Sequence, residues 1–155
     1  MPTPTIERRE LTAQPMLFIR RRVEREAIAQ AIGECLGRIA AHCQQAGLAF
    51  AGPPFARYPA AGPGLVTIEI GMPLAAAAAG DGEIEAGELQ GGPAAFAVHA
   101  GPYDRLGETY TALERWIEER GARPGGAPWE SYVTDPGEVP DPEDWRTEVY
   151  WPVTE

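Results

Sequence analysis

Four side chains near the end of the chain could do chemistry together: Glu130 and Tyr132 in P-W-E-S-Y (128–132), and Glu148 and Tyr150 in T-E-V-Y (147–150). A carboxylate supplies fixed negative charge, and a phenol supplies a ring face and a hydroxyl. Interleaved, they suit recognition of a cation that also carries aromatic surface. Carboxylates are costly to bury without partners, so such a constellation is either an ordinary solvated face or a concave site completed by a ligand. Were burial to raise its pKa, Glu148 or Glu130 could instead act as a general base or electrostatic stabiliser. No nucleophile–base pair is recognisable beside them. His42 reads as packing or surface, and His99, at a strand end, as a structural hydrogen bond. Those two histidines and Cys35 and Cys43 lack zinc-like spacing, so no metal is expected. Gly80-Asp81-Gly82 is not followed by Gly-Lys-Ser/Thr, so it is not a phosphate loop, and no cofactor is expected.

The elements that position these residues are strands. Residues 145–153, W-R-T-E-V-Y-W-P-V, alternate with Trp145, Thr147, Val149 and Trp151 on one face and Arg146, Glu148 and Tyr150 on the other. Residues 129–134 form the preceding strand, with Trp129 opposite Glu130. The expected same-face set is Glu130, Tyr132 and Thr134 with Glu148 and Tyr150. Two helices accompany the strands. Over 25–45, Ile28, Ile32, Cys35, Leu36, Ile39 and Cys43 form an apolar stripe that Gly47 ends. After the turn G-P-Y-D (101–104), with Asp104 expected as a cap, Leu106, Tyr110, Leu113 and Ile117 form a second stripe ended by Gly121. Further strands are expected at 16–19, 48–58, 64–72 and 94–100, with a turn at 59–63, a loose end at 1–5 and an acidic Pro-rich loop at 135–144. Residues 75–92, first low-complexity and then acidic and Gly-rich, read as a linker.

At 155 residues and 44% hydrophobic content, the chain is read as one domain large enough for a real core. A net charge of −10 argues against direct nucleic-acid binding and favours cationic partners. Arg20, Arg21, Arg22 and Arg25 form a basic cluster that reads as a solvated strand end rather than an RNA or phosphate contact. No apolar run is long enough to span a membrane, and the N-terminus lacks a signal-peptide pattern. Cys35 and Cys43 sit about 12 Å apart along one helix, too far for a disulfide, and suit buried positions in a reducing cytoplasm.

The two halves repeat. Ile32 matches Leu106, Leu36 matches Tyr110, Ile39 matches Leu113 and Cys43 matches Ile117, and the same offset carries Gly47 to Gly121, Phe55 to Trp129 and Tyr58 to Tyr132. Beyond the longer second loop, Glu69-Ile70-Gly71-Met72-Pro73 falls on Glu148-Val149-Tyr150-Trp151-Pro152. The fold class is therefore α+β: two tandem strand–helix–strand–strand (SHS2) units, about 7–74 and 93–155, closed as a pseudo-two-fold antiparallel domain. Such symmetry would bring Glu69 and Glu148 towards a common centre.

V-H-A-G-P-Y-D (98–104), Y-T-A-L-E-R-W-I (110–117), P-W-E-S-Y-V-T-D-P (128–136) and W-R-T-E-V-Y-W-P-V (145–153) together resemble the GyrI-like family. This small-molecule-binding domain occurs at the C-terminus of multidrug-sensing MerR-type and AraC-type transcription regulators and as a stand-alone protein. The resemblance covers the second half densely and the first mainly through the repeat. It implies two duplicated units with a central ligand cleft, binding bulky aromatic, often cationic compounds. By position, Glu130 and Glu148 would be the acidic residues and Tyr132, Tyr150 and Tyr110 the aromatic walls, with Glu69 and Tyr58 as first-half counterparts. Ala56 stands where Glu130 would, so the cleft would be asymmetric. No helix-turn-helix segment precedes the domain, so a stand-alone role in sensing or sequestration is expected. The resemblance leaves two alternatives: a hydrolase of electrophilic, cyclopropane-containing aromatic toxins, or an effector-sensing module of a regulator, acting through a protein partner or homodimer.

Overall fold

The computed structural model describes residues 5–61, 64–135 and 137–155. The expected loose end over residues 1–4 and the tip of the expected turn at residues 62 and 63 lie outside them. In chain order the strands are β1 (Ile6–Leu11), β2 (Gln14–Glu24), β3 (Phe55–Ala61), β4 (Leu65–Pro73), β5 (Glu85–Leu89), β6 (Gly92–Ala100), β7 (Arg123–Pro124), β8 (Trp129–Tyr132) and β9 (Arg146–Thr154). The helices are α1 (Ile28–Ala46) and α2 (Leu106–Glu119). The chain divides into a split unit, Met1–Thr12 with Gly91–Glu155, and a central unit, Ala13–Gln90. The fold is α+β, and every strand pair described within the units is antiparallel.

Each unit is a four-stranded sheet with one helix against it. The split unit runs β1-β6-β9-β8, and β7 pairs with the end of β9. The central unit runs β5-β2-β4-β3. The registers verify the repeat residue by residue. Phe18 lies opposite Gly71 and Phe96 opposite Tyr150, while Phe55 lies opposite Gly71 and Trp129 opposite Tyr150. The stretch expected as a linker contains β5, which pairs along β2 from Gln14 to Phe18. Glycine and acid masked its strand pattern, because only Leu89 of its five residues is buried. The expected first strand at 16–19 grows into β2, and β1 precedes it.

Both helices bury one apolar stripe: Ala31, Cys35, Ile39 and Cys43 on α1, and Leu106, Thr109, Leu113 and Ile117 on α2. Full burial of a Leu or Ile contributes about 1.5–3 kcal/mol, so this stripe sets the helix's rotation about its axis. Both helices stop the same way. Gly47 and Gly121 each sit at φ 69°, and the following amide donates back to the last buried stripe residue, Leu48 to Cys43 O and Ala122 to Ile117 O. That is the six-to-one bond of a Schellman stop, which needs a residue free of left-handed strain. Asp104 does not cap α2. It lies in a 3₁₀ turn, Tyr103–Arg105, and neither that turn nor α2 has a side-chain cap.

Candidate functional site

The helix-facing side of the split unit carries the site. On β8, Glu130 is only 6% exposed. Tyr110, one turn inside α2, donates its hydroxyl to Glu130 Oε2 at 2.8 Å, and Tyr132 donates to Oε1 at 2.9 Å. Each carboxylate oxygen therefore accepts a charge-assisted bond, worth about 1.5–3 kcal/mol and enough to offset much of its desolvation. The phenols are neutral, so these two bonds add no positive charge against the carboxylate.

Around this carboxylate the rings form a row. Tyr103 meets Tyr132 edge-on at 5.7 Å between centroids and Trp145 at 4.9 Å, and Tyr110 meets Trp151 edge-on at 5.9 Å. All five rings are half-buried. Trp145 is fixed by its indole N–H on Val139 O at 2.7 Å. The Tyr103 hydroxyl is held above its usual pKa first by burial, then by the negative charges of Asp135 and Glu130.

His99 positions this row rather than joining it. Its Nε2 lies 2.9 Å from Pro102 O, and a carbonyl only accepts, so the proton sits on Nε2. Nδ1, 2.8 Å from Thr109 Oγ1, then accepts from that hydroxyl on α2. The imidazole thus ties the end of β6 both to the turn bearing Tyr103 and to α2. Beside it, Thr147 lies opposite His99 on β6 and opposite Tyr132 on β8. Its hydroxyl is buried and makes no hydrogen bond.

Glu148 and Tyr150 do not join this group. The register sets Glu130 opposite Val149 and Ser131 opposite Glu148, so Glu130 and Tyr132 share a face with Thr147, Val149 and Trp151. Glu148 and Tyr150 lie on the other face with Trp129, contrary to the expected same-face set. Alternation fixes the faces within each strand, but the pairing register between strands is not visible in it. On that face Trp129 stacks on Tyr150 at 5.3 Å and 19°, Phe96 meets Tyr150 at 5.0 Å, and Tyr150 donates to Glu148 Oε1 at 2.8 Å. Burial, and secondarily that bond to a carboxylate, push the Tyr150 phenol up to about 12.

In the central unit, Glu69 is clamped by guanidinium groups. Arg20 reaches Oε2 with Nη2 at 2.6 Å and Nε at 3.0 Å, and Arg57 Nε reaches Oε1 at 2.6 Å. Its charge is already answered by two arginines. Tyr58 lies half-buried on β3. Tyr103, Trp145 and Thr147 are not among the residues expected from the sequence: Tyr103 stands in the V-H-A-G-P-Y-D turn, and alternation puts Thr147 on the face opposite Glu148. Among the described residues no group of three or more His, Cys, Asp or Glu could hold a metal, and no helix is long and apolar enough to cross a membrane.

The duplicated α+β fold is that of a known class of domain. The sequence matches the model of the GyrI-like small molecule binding domain over residues 4–154, and the chain belongs to that family. Among solved structures, the EcmrR C-terminal domain superposes with a TM-score of 0.87 at 22% identity, covering 98% of this chain and 98% of that one. EcmrR in complex with DNA superposes at 0.86 and 21% identity, and there the chain spans 58% of the length of its relative. A hydrolase from Listeria innocua matches at 0.69 and 13% identity, over 99% of this chain and 94% of that one. SAV2435 bound to tetraphenylphosphonium matches at 0.62 and 15%, over 97% and 94%. At these identities the likeness is one of fold. No curated protein matches significantly.

Proposed function

We propose that this protein binds bulky aromatic cations through Glu130, with Tyr110 and Tyr132 holding the carboxylate and Tyr103, Trp145 and Trp151 offering ring surface. The observation that carries the reading is a buried glutamate whose two oxygens are each bonded by a neutral phenol. In so poorly screened a setting a carboxylate attracts a cation strongly. Ring faces add attraction of roughly 0.5–2 kcal/mol for a delocalised cation. The tetraphenylphosphonium bound by SAV2435 is a cation of this kind. Sensing or sequestration of such compounds is the role that follows.

Titrating tetraphenylphosphonium and a rhodamine into wild type and Glu130→Gln tests this. Glu130→Gln is expected to weaken binding about tenfold or more, roughly 1.4 kcal/mol. Its fold should persist, since an amide oxygen still accepts a phenol. Equal affinity in both proteins, or no binding by either, would remove the proposal. Turnover of an electrophilic aromatic compound by wild type and not by Glu130→Gln would replace binding with hydrolysis.

A further inference from the structure

The repeat shows where the split unit carries polar groups in place of apolar packing. The registers set Ala56 opposite Ile70 and Glu130 opposite Val149, and they set Ile68 opposite Arg21 and Thr147 opposite His99. Glu130 therefore stands at the place of Ala56, and Thr147 at the place of Ile68. Ala56 and Ile68 are fully buried. Two polar side chains thus replace two buried apolar ones on one face of one unit. Glu130 is provided for by two phenols. Thr147 is not. It is 0% exposed, and among the described residues it alone has a buried side-chain polar atom without a hydrogen bond. A buried hydroxyl left unpaired is destabilising, and an isoleucine at the same strand position avoids that loss. Stability therefore gives no reason for this threonine.

Thr147 sits between His99 on β6 and Tyr132 on β8. Both neighbours are engaged elsewhere, His99 with Thr109 and Pro102 O, and Tyr132 with Glu130. The turn that carries Tyr103 is tied to each of them, through Pro102 O on His99 and through the edge contact between the Tyr103 and Tyr132 rings. It therefore spans the two sides of Thr147. The Tyr110 and Tyr132 hydroxyls are held on Glu130, whereas among the described residues the Tyr103 hydroxyl makes no hydrogen bond. Tyr103 is the ring free to turn.

We infer that Thr147 is a specificity-determining residue of the Glu130 site, its hydroxyl accepting from an N–H on the ligand's charged nitrogens once the Tyr103 ring turns aside. The inference rests on the proposed binding of aromatic cations. It narrows that class to cations whose delocalised charge lies on nitrogens that carry hydrogen, such as aryl amidinium and aminoxanthylium ions. A threonine hydroxyl has two lone pairs to offer, and here neither is used. The carboxylate of Glu130 on the same face favours a donor that brings positive charge with it. A fully substituted onium ion has no hydrogen to give and leaves the hydroxyl unpaired. Sites with a buried hydrogen-bonding group discriminate against analogues that lack its complement.

The probes are a rhodamine methyl ester whose amino groups carry hydrogen and the same dye fully N-methylated. Each is titrated by fluorescence anisotropy into wild type, Thr147→Val, Thr147→Ser and Glu130→Gln. The readout is the ratio of the two affinities, which cancels what the shared ring system contributes. Thr147→Val keeps the shape and loses the hydroxyl, and should shift the ratio about tenfold towards the methylated dye, while Thr147→Ser leaves it within about twofold of wild type. In the free protein, Thr147→Val should melt no lower than wild type. A lower Tm would mean that the hydroxyl is already bonded there, and would overturn the inference. An equal ratio in wild type and Thr147→Val would overturn it too, as would a Thr147→Ser ratio shifted as far as that of Thr147→Val. Binding of neither dye, or binding indifferent to Glu130→Gln, would remove the Glu130 reading and this inference with it.

Discussion

The two units answer the same problem, a glutamate carried into a sheet, with different partners. In the central unit Glu69 meets two guanidinium groups that match its charge, and the cluster is finished as a piece of architecture. In the split unit Glu130 meets two phenolic hydroxyls, which satisfy lone pairs without supplying charge. Duplication gave both units the same strands, registers and helix stops. Their chemistry then diverged at single positions: Ala56 against Glu130, Gly71 against Tyr150, Arg20 against Val98. Under the proposed function, the acid of the split unit serves a ligand where that of the central unit serves its sheet. The lesson is that a buried carboxylate is read by what donates to it rather than by its burial.

The largest effect should come from breaking the central clamp. Glu69→Gln removes the shared partner of two arginines, one of them half-buried, and is expected to cost about 3 kcal/mol in urea unfolding. Tetraphenylphosphonium affinity should barely change. Loss of binding with unaltered stability would erase the contrast between the units.

On the opposite face of the split unit, the Tyr150 phenol should ionise near 12, read as phenolate absorbance against pH. Its folded pKa lies above the unfolded value of about 10. The stability it contributes is therefore complete below about 10 and is lost as pH rises from there through about 12. Glu148→Gln should bring the titration back towards the ordinary range, because the phenol then loses its bond to a charged acceptor. An unchanged titration would detach Tyr150 from Glu148.

A smaller effect tests the duplication itself. Gly47→Ala and Gly121→Ala place a side chain at the same left-handed stop and should each destabilise by about 1 kcal/mol. Costs that differ more than threefold would show that the two stops are not equivalent.

Much of this frame is legible in the amino-acid sequence. The apolar stripes from Ile28 and from Leu106, the paired stops at Gly47 and Gly121, and the offsets carrying Phe55 to Trp129 all rest on local periodicity, which sequence records directly. The partners of the candidate site were less legible. Whether Glu130 faces with Tyr132 and Thr147 or with Glu148 depends on a one-residue choice of register between β8 and β9, and each strand's own alternation is blind to it. The edge strands escaped for another reason. β1 directly precedes β2 yet pairs with β6, and β5 directly precedes β6 yet pairs with β2. A two-residue spacing after Leu11 suggests a hairpin that the chain does not make. Arg20 was legible as a charge but not as the partner of Glu69, since only the β2–β4 register sets them opposite each other.

The most direct measurement is the structure of this protein with tetraphenylphosphonium bound. If Glu130 is the charge that the ligand meets, phosphorus should lie within about 6 Å of that carboxylate, with phenyl rings against Tyr110, Tyr132 or Tyr103. A cation seated on Glu148 and Trp129, or one that makes no contact with the Glu130 cluster, would contradict it.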